Sequence, residues 1–169
     1  MIKMVGILLI LCGAGGFGIL KAYLFYGQLN LVKAFSDALQ IMKCEMNYTL
    51  APLPKLCATV GKRSKGNCAH FFTSFSSLLK EGVPRSIAAR RLLADEKKYQ
   101  LPKDARMTLL ELFENLGAYE LEGENQLIRA SIQRLQASQS LLEQEKKPLA
   151  KSYAALGICT GLALVILFV

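Results

Sequence analysis

The stretch "LVKAFSDALQIMKCEM", residues 31–46, decides the fold. Its apolar positions Leu31, Phe35, Leu39, Met42 and Met46 step by four, four, three and four residues, which places them on one face of a helix. A half-buried strand would alternate instead. No proline separates this stretch from the residues before it, so the helix is expected to run back toward the N-terminus, with a soft point near Gly27. It should stop at "TLAPLP", residues 49–54, because proline removes a donor and disfavours helix in the residue before it.

The same reading continues downstream. A short helix is expected over residues 54–62, then a polar turn, "GKRSKGN". Asn67 is a plausible N-cap for a helix over 68–80, with Gly82 at its C′ position. Pro84 suits the first turn of a helix that carries Ile87, Ala88, Arg91 and Leu92 and runs to about residue 95. Pro102 opens another, with a face of Met107, Leu110, Leu112, Phe113 and Leu116 and a stop at Gly117. The last helix keeps a heptad-like stripe of Leu121, Ile128, Ile132, Leu135 and Leu142. Glu120, Glu122 and Glu124 at its start and Lys146 and Lys147 near its end complement the helix dipole, and Pro148 marks a kink or break. No segment alternates as a strand would, so the fold class is all-α.

The two ends of the 169-residue chain differ from its middle. Residues 4–20 and 153–169 are each 17 uncharged, mostly apolar residues. At 1.5 Å per residue such a run extends about 25 Å, against a bilayer core of about 30 Å. Flanking Lys3, Lys21 and Lys151 can snorkel, and Tyr23, Tyr26 and Tyr153 sit where an interfacial belt would lie. The expected organisation is therefore an N-terminal transmembrane helix (1–21), a cytoplasmic helical bundle (22–152) and a C-terminal transmembrane helix (153–169). Lys146, Lys147 and Lys151 place the bundle on the cytoplasmic side by the positive-inside rule. A cleaved signal peptide at the N-terminus is the competing reading. It lacks a clear small-x-small cleavage site, and Leu11 before Cys12 argues against a lipoprotein. Gly157 and Gly161, four apart, would allow close helix packing, answered by Ala14 and Gly18 from the first run.

Charge divides along the chain. Residues 22–103 hold 13 basic and 5 acidic residues, whereas 104–152 hold 6 basic and 8 acidic. A basic half can meet anionic lipid or an acidic partner, and the candidate docking residues are Lys62, Arg63, Lys65, Arg85, Arg90 and Arg91. Nucleic acid is disfavoured, since no recognition motif is present.

Chemistry is sparse. The single histidine, His70, sits beside Phe71 and Phe72 on an expected core-facing helix. There is no G-x-S-x-G, P-loop or H-E-x-x-H pattern. Cys44, Cys57 and Cys68 have no C-x-x-C spacing, and the Cys68/His70 pair has no second pair to complete a metal site. No catalytic residue, cofactor or metal is expected.

Four segments carry a family resemblance: "LQIMKCEMNYTLAPL" (39–53), "FSSLLKEGVP" (75–84), "LLELFENLG" (109–117, followed by Gln126) and the closing "YAALGICTGLALVILFV" (153–169). In that order and spacing the chain resembles the stage III sporulation protein AB family over nearly its whole length. "LLKEGVPRSIAARRLL", residues 78–93, also looks like the cytoplasmic domains of type II secretion F-type platform proteins. The family often carries a tryptophan shortly after the position of Gly82, where this chain has Ala88 and Ala89 instead.

The resemblance implies a non-enzymatic platform in the complex that connects mother cell and forespore. It would lie in the mother-cell membrane around the forespore with its domain in the cytoplasm. Its partners would be the ATPase of the set, stage III sporulation protein AA, other membrane subunits, membrane lipid and further copies of itself. Two other readings stand beside this one: a platform subunit of a secretion or pilus system outside sporulation, and a membrane-tethered enzyme or metal sensor using Cys44, Cys57, Cys68 and His70.

Overall fold

A computed structural model describes the backbone of residues 2–49, 51–96, 98–118 and 120–168, and the side chains of residues 26–144 other than 50, 97 and 119. Among the described residues six helices follow one another: α1 (Ile2–Thr49), α2 (Leu53–Arg63), α3 (Gly66–Lys80), α4 (Arg85–Leu93), α5 (Lys103–Asn115) and α6 (Leu121–Phe168). No described residue lies in a strand, so the all-α expectation holds. The backbone divides into two units, Met1–Gly27 with Leu141–Val169, and Gln28–Ser140.

Among the described residues, no helix is long and apolar enough to cross a membrane. The side chains of the apolar runs 4–20 and 153–169 lie outside those residues, as do those of Ala14, Gly18, Gly157 and Gly161. Neither the soft point near Gly27 nor a break at Pro148 interrupts the helices that contain them. A proline removes one ladder bond, and the turns on either side can carry a helix past that loss.

The core of the 28–140 unit is aromatic. Phe71 on α3 is fully buried. Its ring centroid lies 5.0 Å from Phe113, 5.3 Å from Phe35, 5.6 Å from Phe72 and 5.8 Å from both Phe75 and Tyr99. Burial of each such ring contributes about 1.5–3 kcal/mol, and edge-to-face pairing adds to it. The face read on α1 delivers Phe35, Leu39 and Met42 to this core, all fully buried. Leu31 and Met46, at the ends of the stripe, are half-buried.

Helices α2 and α3 form a close hairpin. A Cβ on the buried Gly61 would stand 2.7 Å from Thr73 Oγ1 and 3.2 Å from its backbone nitrogen. Only a bare Cα lets the helices approach this far. Ser76 Oγ also donates to the Pro54 carbonyl at 2.6 Å. Helix α3 ends as the sequence suggests. Gly82 has φ +80°, its N–H donates to the Leu79 carbonyl, and the Val83 N–H donates to that of Leu78, which is a Schellman cap.

Three sequence expectations are corrected here. Asn67 is not the N-cap of α3. That role falls to Lys65, and Asn67 Nδ2 instead donates to the Lys98 carbonyl at 2.8 Å, tying α3 to the connection before α5. On α4 the inward face is Ala88, Ala89 and Leu93, while Ile87 is 55% exposed. On α5 it is Ala105, Thr108, Leu109, Leu112, Phe113 and Leu116, and Met107 is 61% exposed. Thr108 can be buried because its hydroxyl donates to the Asp104 carbonyl at 2.9 Å.

Candidate functional site

The six basic residues singled out from the sequence fall into two groups. Lys62 and Arg63 close α2, where positive charge suits the helix C-terminus, and Lys65 caps α3. Arg63 is ion-paired with Glu45 on α1. Lys62 and Lys65 are exposed, and neither has an ion pair or side-chain hydrogen bond among the described residues.

The second group is on α4. Arg85 is half-buried and donates to the Leu116 carbonyl, supplying a partner to the end of α5. Gly117, at φ +85°, makes room for it: a Cβ there would meet Arg85 Nη1 at 2.7 Å and Leu53 Cδ2 at 3.7 Å. The Gly117 N–H donates to Glu124 Oε1 at 2.6 Å, which fixes the entry into α6. Arg90 Nε donates to Glu114 Oε1 at 2.7 Å, and that bond raises the Arg90 pKa further. Arg91 is exposed, with no ion pair or hydrogen bond among the described residues.

The structure does not gather the six into one patch. Arg85 sits by Leu53, at the start of α2, whereas Lys62 and Arg63 stand at its end. An 11-residue helix separates these points by about 16 Å. Arg63, Arg85 and Arg90 each hold a partner within the domain, which leaves Lys62, Lys65 and Arg91, of these six, without one among the described residues.

His70 is exposed rather than core-facing. Its Nδ1 lies 3.2 Å from Ser74 Oγ and 3.3 Å from Tyr99 Oη, and its Nε2 lies 3.0 Å from Lys98 Nζ. The Lys98 ammonium can only donate, so Nε2 is the acceptor in this contact. The ring thus bridges α3 to the Lys98–Tyr99 connection.

The thiols offer little chemistry. Burial pushes Cys57 up to about 12. Cys68 is also raised to about 12, chiefly by burial, and its Sγ donates to the Ala34 carbonyl at 3.4 Å. Both are protonated at neutral pH and poor ligands or nucleophiles. Cys44 is exposed. Among the described residues, no three His, Cys, Asp or Glu side chains come together as a metal site.

Two surface grooves were not legible in the sequence. One, of about 540 Å³, runs between α1 and α6 and includes Lys43, Tyr48, Arg129 and Ile132. The other, of about 640 Å³, lies along α5 beside the exposed Met107, with the Arg90–Glu114 and Arg134–Glu111 pairs at its borders. A second face on α1, Lys43/Cys44 and Asn47/Tyr48 at helical spacing, is the one signal that could have marked the first groove. Its other wall lies some 80 residues away on α6.

Comparison with known proteins places this geometry. The family described as stage III sporulation protein AB matches residues 3–169. Stage III sporulation protein AB of Bacillus subtilis (strain 168) is 24% identical over 169 residues, covering 99% of each chain. A solved structure of a stage III sporulation protein AB superposes with a TM-score of 0.60 at 22% identity, over 72% of this chain and 98% of that one, which shows a shared fold. On the match through residues 3–169, this chain belongs to the stage III sporulation protein AB family.

Proposed function

We propose that the chain is a non-enzymatic membrane platform subunit of the sporulation complex linking mother cell and forespore, and that it docks the cytoplasmic ATPase of that complex, stage III sporulation protein AA. The family match over residues 3–169 carries the reading. The apolar runs 4–20 and 153–169 support membrane anchoring at both ends, with the intervening helical domain in the cytoplasm of the mother cell. Lys62, Lys65 and Arg91, without ion-pair partners among the described residues, are the cations through which an acidic surface of the motor would engage. The chain itself has no P-loop, so nucleotide hydrolysis falls to the partner.

The test is co-elution of the detergent-solubilised full-length chain with the purified ATPase. Binding is expected, weakened by Arg91→Glu and by Lys62→Glu with Lys65→Glu. An ATPase that ignores this chain and binds another membrane subunit of the complex would remove the docking role.

A further inference from the structure

The groove between α1 and α6 lies entirely within the 28–140 unit. Its α1 wall spans residues 40–48, about 12 Å of helix, and includes Lys43, Cys44 and Tyr48. Its α6 wall supplies Arg129, Ile132 and Gln133. Tyr48 is 88% exposed, an aromatic side chain with almost nothing covering it, while Ile132 is buried and forms an apolar floor.

The charges in this groove are one-sided. Lys43 and Arg129 line it, and no carboxylate does. Neither cation has an ion pair or hydrogen bond among the described residues. Arg63, Arg90, Arg106 and Arg134, by contrast, each have a carboxylate. The nearest acids on α1 are committed or turned away. Glu45 is paired with Arg63, and Asp37 borders the adjoining groove that Arg63 shares. On α6, Glu122 is two turns before Arg129 and outside the lining.

From this arrangement we propose that the α1–α6 groove is a docking site for an acidic amphipathic helix of a partner protein. The domain offers no strand edge among its described residues, so pairing by strand addition is closed. A third helix laid between two others is the mode this surface accepts. About two turns of it fit the 12 Å wall. Its apolar side covers Ile132 and the Tyr48 ring, and its carboxylates answer Lys43 and Arg129. A second copy of this chain, whose residues 104–152 hold 8 acidic against 6 basic residues, is the occupant the experiment must separate from a partner protein. The site uses none of the six cations considered for the ATPase, so either surface can fail its test without affecting the other.

The experiment places the photo-crosslinker p-benzoylphenylalanine at Gln133 or Tyr48 in the full-length chain, in cells that make it, with the same probe at the exposed Ser77 of α3 as control. Crosslinked peptides are identified by mass spectrometry. The expected product from the groove positions, absent from Ser77, is a peptide of another protein with more Asp and Glu than Lys and Arg. Lys43→Glu with Arg129→Glu should lower its yield about tenfold, and Lys43→Gln with Arg129→Gln should lower it less. Far-UV circular dichroism of each purified variant should match that of the parent. The proposal is overturned by a product that is a second copy of this chain, a phospholipid, a nucleic acid or a peptide without acidic excess, by no product at either groove position, or by a yield that a folded variant of either pair leaves unchanged.

Discussion

Replacing Phe71 by alanine should cost this domain a large share of its stability. The ring is fully buried and lies within 5.0–5.8 Å of five other aromatic rings supplied by α1, α3, α5 and the connection before α5. A buried Phe→Ala change costs about 3–5 kcal/mol, the sum of lost transfer energy and an unfilled cavity. The upper half of that range is expected, because rings held on several sides by separate helices cannot all move inward to fill the gap. In a chain of this length, that is a fall in midpoint temperature of roughly 10 °C or more. Thermal and urea unfolding, followed by circular dichroism, would measure it. Met107→Ala provides the comparison. Met107, on the α5 face that the sequence predicts to be apolar, is 61% exposed, and its removal should cost no more than about 0.5 kcal/mol. The reasoning fails if Phe71→Ala costs under about 1 kcal/mol, or if Met107→Ala costs as much as Phe71→Ala.

Other outcomes follow from the same geometry. Gly117→Ala should destabilise by more than Gly82→Ala, since both sit at positive φ but only Gly117 has Arg85 against it. In an Arg85→Ala background that difference should shrink, as a double-mutant cycle would read. Stability should fall as pH rises from about 9 toward about 12. The unfolded chain releases protons from Cys57, Cys68 and Tyr99 near their ordinary values of 9.0, 9.0 and 10.0, while the folded chain holds each to about 12. Their contribution is thus complete below pH 9 and lost through that window, and Cys57→Ala with Cys68→Ala should flatten the decline in urea titrations. Peptide-resolved alkylation at pH 8 should modify Cys44 in the native protein and reach Cys57 and Cys68 only in denaturant.

The sequence made the helices legible where single residues carry strong local rules. Pro52, Pro84 and Pro102 bound their helices at the start, and Gly82 and Gly117 take positive φ after the helices they close. The α1 face was equally plain, because large residues mark it at regular steps. Faces made of small or polar residues were not. On α5, Ala105 and Thr108 belong to the buried stripe, while Met107 and Leu110 compete for attention on hydrophobicity alone. On α4 the buried face is mainly Ala88 and Ala89. The docking residues were harder still, since composition does not reveal which arginines are already paired. Arg85 and Arg90 hold α5, whereas no local pattern marks Lys43 and Arg129, because the groove they share joins helices distant in sequence.

Under the proposed function, this chain holds the ATPase of its complex to the membrane. Fractionation of sporulating cells with and without the chain, with the ATPase quantified in membrane and soluble fractions, tests it most directly. The ATPase should move from the membrane fraction to the soluble one when the chain is absent, and return when the full-length chain is restored. An ATPase that stays membrane-bound without the chain would contradict it.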